Sequence, residues 1–252
     1  MAQGRLFDVL VLAWLVLAIA VFALLFFVTA PYGRYARRGW GPMLSARLGW
    51  LVMEAPAPLV FAVCFVVGPS NHSAAAWVFF AMWEAHYVHR AFIYPWMLHD
   101  AGKRMPSGVV AMAVVFNAVN GFINGHWLFA LSGDRAAWPA DPRFVIGLAL
   151  FVTGLAINRW SDGKLRRLRA PGETGYRVPQ GGLFRWVSSP NYFGEIVEWL
   201  GWAVATWSLP GLAFAVWTAA NLAPRARANH RWYRSRFPEY PAERKALVPG
   251  IW

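Results

Sequence analysis

The sequence predicts an all-α, polytopic membrane protein: seven transmembrane helices in a single domain, residues 1–252, with the N-terminus outside and the C-terminus in the cytoplasm. Three observations carry this expectation. The chain is 58% hydrophobic and only 14% charged. Its apolar residues collect in continuous runs of the length a bilayer demands. Lys and Arg alternate in number from one connection to the next. Continuous runs argue against a β-barrel, whose strands alternate, and an open sheet could not satisfy its backbone in lipid.

In chain order the runs fall at 6–29, 48–68, 74–98, 108–131 and 144–158, followed by a long one from about 193 to 223 that Pro210 and Gly211 divide. The first has no basic start and no small-residue cleavage site close behind it, so it reads as a retained helix and not a signal peptide. Lys and Arg number four in 30–47, two in 99–107, seven in 159–192 and seven in 224–252. The alternate connections 69–73, 132–143 and 208–210 hold none, two and none, which places the basic set on the cytoplasmic side. The net charge of +12 is spread over these flanking loops, where topology and anionic lipid account for it, so nucleic acid is not an expected partner. No obligate protein partner is evident either. The membrane is that of a bacterial inner membrane or an endoplasmic reticulum. Cys64 is the single cysteine and permits no intrachain disulfide.

Polar residues within the runs carry the chemistry, because an ionisable group at membrane depth faces the bundle interior or a wet cavity. Glu54 lies midway along the second run in "WLVMEAPAPLV" with no basic neighbour in sequence, so it takes a partner from another helix or is protonated. In "WEAHYVHRAFIY" the spacing of Tyr87, Arg90 and Tyr94 puts a cation between two phenols on one helix face; snorkelling toward the cytoplasmic edge is the bland alternative for Arg90. Asn158 and Asp162 are four apart. Asn191, Glu195, Glu198 and Trp202 follow at spacings of four, three and four in "SSPNYFGEIVEW", another single face. Glu198 is open between a structural acid paired with a loop arginine and a supporting group. Asn117, Asn120 and Asn124 form a stripe read as interhelical hydrogen-bond glue and left out of the site. His86 and His89 are three apart, but no H-E-x-x-H or cysteine set accompanies them, so no metal is expected.

The two long connections, 159–192 and 224–252, both belong to the cytoplasmic set. The first gathers Asp162, Arg166, Arg167, Arg169, Arg177 and Arg185 around "PQGGLF". Arg clusters suit phosphates through bidentate, charge-assisted bonds, and acidic or amide groups suit ribose hydroxyls, so a multiply phosphorylated cytosolic ligand fits. Such a loop also arises from topology alone. No G-x-G-x-x-G or P-loop is present, which excludes a Rossmann or nucleotide-hydrolase domain.

From Pro31 to Trp252 the chain resembles the steroid 5-alpha-reductase family, and within it the type 2 branch. The resemblance is carried by "NRWSDGKLRRLRAPGETGYRVPQGGLFRWVSSPNYFGEIVEWLGWAVATWSLP", "HYVHRAFIYP", "VMEAPAP" and "RKALVPGIW". It implies a seven-helix membrane enzyme that uses NADPH to reduce the carbon–carbon double bond of a 3-oxo-delta-4 steroid of the testosterone or progesterone type. Carried over by position, it implies that Glu54 and Tyr87 hold the 3-keto oxygen, with Trp50 and Trp199 beside the substrate. It also implies that Arg90, Tyr94, Asn158, Asp162, Arg169, Tyr176, Arg177, Asn191, Glu195, Arg225 and Tyr233 surround the dinucleotide, and that 159–192 and 224–252 are cytoplasmic cofactor-binding segments. Two positions depart from the family: Asn229 stands where a His is expected, and Met53 where some members have Gln. The competing readings are a membrane methyltransferase of the isoprenylcysteine type using S-adenosylmethionine, a reductase of a different lipid enone, and a non-catalytic lipid transporter or binding protein. The paired ketone donors argue against methyl transfer, and the lack of an internal repeat against transport.

Overall fold

A computed structural model describes residues 2–37, 39–69, 73–97, 102–133, 135, 137–168, 173 and 175–252. Helices fall on every predicted run: α1 (Ala2–Leu25), α2 (Ala46–Glu54), α3 (Pro56–Val67), α4 (Ala74–Val88), α5 (Tyr94–Met97), α6 (Ser107–His126), α7 (Pro142–Arg167), α8 (Pro190–Thr206) and α9 (Leu209–Arg236). Among the described residues four stretches are long and apolar enough to cross a bilayer: Gly4–Leu25, Ala46–Val67, Ser107–Leu131 and Pro142–Arg167. α4 continues through the turn at His89–Ile93 into α5, and α9 has 28 residues. α4 has 15 residues and carries Glu84, His86 and Tyr87, and α8 has 17, short of the about 20 that an upright crossing needs.

Several boundaries differ from the expected ones. A small antiparallel pair, β1 (Met43–Ser45) with β2 (Arg104–Pro106), ties the chain before α2 to the chain before α6. The long final run breaks at Trp207, which adopts a left-handed conformation (φ 47°) and ends α8, while Ser208 caps α9 through Gly211 N–H. Pro210 therefore sits in the first turn of α9, where its missing N–H costs nothing. α7 and α9 run past the apolar region into the basic connections; Lys164, Arg166 and Arg167 in the last turn of α7 favour its extension by meeting the helix dipole. At the opposite end, Asp141 caps α7 and is held by Arg143, whose hydrogen bonds to the carboxylate bring its pKa down to about 2.

Proline explains two irregularities at the centre. Pro56 and Pro58 remove the donors that would reach the carbonyls of Val52 and Glu54, so the second helix breaks at Ala55. Beside the break, the Met53 carbonyl accepts from the Asn117 side chain at 2.6 Å. Likewise Pro95 cannot donate to Ala91, and the preceding turn, His89–Ile93, widens into a π-turn that carries Arg90.

The tightest packing is between α7 and α8. A Cβ placed on Gly147 or Gly154 would lie 2.2 Å from the backbone of Ala205 or Glu198, and one on Gly201 or Gly194 would lie 2.4 Å from Phe151 N or 2.6 Å from Asn158 N. Only glycine permits this backbone-to-backbone contact. The aromatic core between the helices includes Phe61, Trp83, Trp199, Trp202 and Phe214, with Trp199 and Phe214 centroids 4.2 Å apart. Cys64 is buried and free.

Candidate active site

The ionisable groups of five helical segments meet at one place. Glu54 ends α2, where the proline break frees it from regular helix. Arg90, on the π-turn, lies 3.7 Å from Glu54 Oε1 and 3.7 Å from Asp162 Oδ2 on α7, so its guanidinium bridges two carboxylates. Trp50 and Tyr94 cover it at 4.6 and 5.2 Å. Glu54 thus finds its partners on other helices: Arg90, and Asn117, which donates to Oε2 at 3.2 Å. Asn191 donates to Asp162 at 2.9 Å, and Asn158 donates to the Asn191 carbonyl at 3.0 Å and to Glu195 at 3.1 Å. The glycine contact of α7 with α8 is what brings these four side chains within reach. Snorkelling does not describe Arg90, whose head is held between acids with its side chain 20% exposed.

Tyr87 forms the neighbouring wall. It is buried next to Asn120, whose Nδ2 has no hydrogen-bond partner. Within the asparagine stripe Asn117 thus meets Glu54 and Asn120 neighbours Tyr87, while Asn124 serves as glue, accepting from Trp202 Nε1 at 2.9 Å. Trp199, expected beside the substrate, is 1% exposed and packs against His86, Tyr87 and Phe214.

Glu198 departs from its own helix face. His86 Nδ1 and its Oε1 share a hydrogen bond of 2.8 Å, both side chains are buried, and Oε2 has no partner. Removing one member of a buried pair strands the other, at a cost of about 3–5 kcal/mol. Glu198→Ala is expected to lower the melting temperature in detergent markedly and Glu198→Gln less, because the amide can still bond to His86 Nδ1. Equal melting temperatures for wild type and the alanine variant would show the pair to be idle. Among the described residues no group of three His, Cys, Asp or Glu could hold a metal ion.

A second layer covers the cluster from the basic end. Arg225 on α9 stacks on Tyr32 at 3.7 Å, donates to the Tyr32 carbonyl at 3.0 Å and to the Tyr192 hydroxyl at 3.2 Å. The turn at Gly33–Tyr35 fits over it because Gly33 has φ 60° and lacks a Cβ that would fall 2.9 Å from Arg225. Tyr35 donates to Asn229 Oδ1 at 3.2 Å, so the residue that departs from the family holds this turn. Arg34 lies over Tyr176, Trp232 and Tyr233 at 4.9, 4.5 and 5.0 Å. Arg177 pairs with Glu173. Arg169 lies outside the described residues. Nothing in the sequence marks Tyr32, Arg34 and Tyr35 beyond the positive charge of their connection; only the fold brings them to the site.

A profile described as 3-oxo-5-alpha-steroid 4-dehydrogenase matches residues 103–252. Steroid 5-alpha-reductase DET2 of Arabidopsis thaliana is 43% identical over 240 residues, covering 91% of this chain and 90% of the relative. This chain belongs to the steroid 5-alpha-reductase family. The 3-oxo-5-alpha-steroid 4-dehydrogenases 1 of Bos taurus and Homo sapiens are each 40% identical, covering 100% and 99% of this chain and 99% and 97% of the relatives. Membership makes the protein an oxidoreductase acting on a CH–CH group, in a family that acts on steroids, and removes the methyltransferase and transporter readings.

Proposed function

We propose that this family member reduces the delta-4 double bond of 3-oxo-delta-4 steroids with NADPH, adding hydride to carbon 5 while Glu54 and Tyr87 polarise the 3-keto group. The observation that carries the reading is the convergence of a phenol, a carboxyl and a partly buried arginine bridge between the helices, in a chain of this family. The reading includes a single domain of seven crossings, the N-terminus outside, and a cofactor site open to the cytoplasm and bounded by 159–192 and 224–252.

The side chains fit the cofactor's chemistry. Arg225 NH1 and Arg34 NH1 are buried without a partner, which suits them to phosphate, and the carboxylate and amide groups of Asp162, Asn158, Asn191 and Glu195 suit hydroxyls. Arg90, Tyr94, Tyr176, Arg177 and Tyr233 complete the contact set, and Arg169 joins it by position in the family. The cavity lined by His86, Arg90, Tyr94, Asn158 and Asp162 has a volume of about 110 Å³, below the roughly 300 Å³ at which ligand pockets begin. Binding therefore requires the side chains that line it, Arg90 among them, to move apart.

The reduced nicotinamide supplies the hydride when bound. Attack at the beta carbon of an enone builds negative charge on the ketone oxygen, so the protein's task is to place donors there. Tyr87 aims its O–H at that oxygen, and Glu54 stands beside it as the second polarising group. Asn117 keeps Glu54 aimed, Asn120 backs the phenol, and Trp50 and Trp199 wall the reacting ring. Protonation of carbon 4 then completes the reduction.

The test is NADPH consumption in detergent after addition of testosterone or progesterone. The reading expects steroid-dependent oxidation, and Arg225→Ala is expected to weaken NADPH binding about 10- to 100-fold, the worth of a charged hydrogen bond. Binding of S-adenosylmethionine without NADPH would sink it.

A further inference from the structure

The opposite face of α9 holds a basic groove that the proposed reaction does not use. Arg225, Asn229 and Tyr233 line up on the face turned to the site, whereas Arg227, Arg231 and Arg234 lie roughly 150° round the helix. Together with Lys245 they line an open groove of about 620 Å³. No acidic side chain lines it, and among the described residues no carboxylate pairs with these three arginines.

Its far wall is the C-terminal strap. Lys245 bridges to Val187, its carbonyl accepts from Ser188 N–H at 2.8 Å, and the chain closes on itself through Val248 N–H to the Trp252 carbonyl at 2.6 Å. The wall ends in Ile251, 78% exposed, and Trp252, 36% exposed. At the near end Arg227 sits over Phe26, 5.7 Å from the ring centroid, and the adjacent Phe27 is 88% exposed. Phe26 and Phe27 close the apolar run of α1, so the groove lies at the level where that helix leaves hydrocarbon. Unpaired cations beside exposed apolar and aromatic side chains, at that depth, match a lipid and not a soluble anion: the cations meet the phosphate while Phe27, Ile251 and Trp252 meet acyl chain.

We propose that this groove binds the phosphate headgroup of an anionic phospholipid. The lipid neutralises four packed cations and clamps the strap against α9. The inference rests on the membrane placement of α1 and α9 and not on the reductase reading.

The full chain in neutral detergent, titrated with phosphatidylglycerol, with phosphatidylcholine or with inorganic phosphate, separates the sources. Phosphatidylglycerol is expected to raise the melting temperature and to bind saturably, with phosphatidylcholine and inorganic phosphate much weaker. Replacing Arg231, Arg234 and Lys245 by Gln is expected to weaken phosphatidylglycerol binding on the order of a hundredfold, since each cation near an anionic surface contributes about a fivefold factor. High salt is expected to weaken wild-type binding in parallel, a readout that survives if the triple variant does not fold. Equal response to the two lipids, an unaltered affinity in a folded triple variant, salt-insensitive binding, or an equal effect of inorganic phosphate would each overturn the proposal. Loss of turnover with intact lipid binding would count against the reductase reading alone.

Discussion

Tyr87→Phe is expected to lower kcat by about 10²- to 10³-fold, the measured worth of one donor to a developing oxyanion, while NADPH affinity and melting temperature stay near wild type. Stability should survive because the phenylalanine keeps the ring's packing against Trp83 and Trp199. Glu54 offers a graded companion. Glu54→Gln preserves a donor in place and should keep part of the activity; Glu54→Ala removes it and should lose most. Both donors address one oxygen, so the double variant should fall short of the product of the single losses. Steady-state rates at saturating NADPH, with separate NADPH titrations, check the set. Full turnover by Tyr87→Phe would remove the electrophilic role from this side chain.

Arg90→Ala is expected to be the most damaging substitution for stability and cofactor binding together. Its guanidinium sits 3.7 Å from each of Glu54 and Asp162, with Trp50 over one side. Removing it leaves two carboxylates in a largely buried space beside a third, Glu195, at a cost of about 3–5 kcal/mol. Arg90→Lys restores the charge but neither the planar fork nor the stacking on Trp50, so an intermediate result is expected. Thermal melting in detergent and NADPH titration read the two effects independently. Wild-type values for Arg90→Ala in both would show that the bridge is incidental.

Spacing proved a good guide to which helix face a residue shares and a poor one to what it meets. Asn191, Glu195, Glu198 and Trp202 form one stripe, as their intervals of four, three and four require. The fold nevertheless divides them: Asn191 and Glu195 join Asp162 and Asn158, Glu198 goes to His86, and Trp202 to Asn124. The asparagine stripe on α6 divides in the same way, between Glu54, Tyr87 and Trp202. A helix face spans several partner helices along its length, and one turn of 5.4 Å is enough to change the neighbour. Glycines 147, 154, 194 and 201, spaced by seven within each helix, are where α7 and α8 touch, and such a stripe does not name its partner.

The sequence by itself determined where the helices lie, the division of the last run near Pro210, and the type of each buried polar group. These are local consequences: lipid obliges each segment to satisfy its own backbone, and proline acts within one turn. Only the tertiary structure decided that Arg90 bridges Glu54 and Asp162, that the Tyr32 to Tyr35 turn covers Arg225, and that Glu198 belongs to His86. Those partners stand between 36 and 193 residues apart in the chain. They meet because close helix packing, set by glycine contacts and aromatic fit, leaves each buried donor with few acceptors in reach.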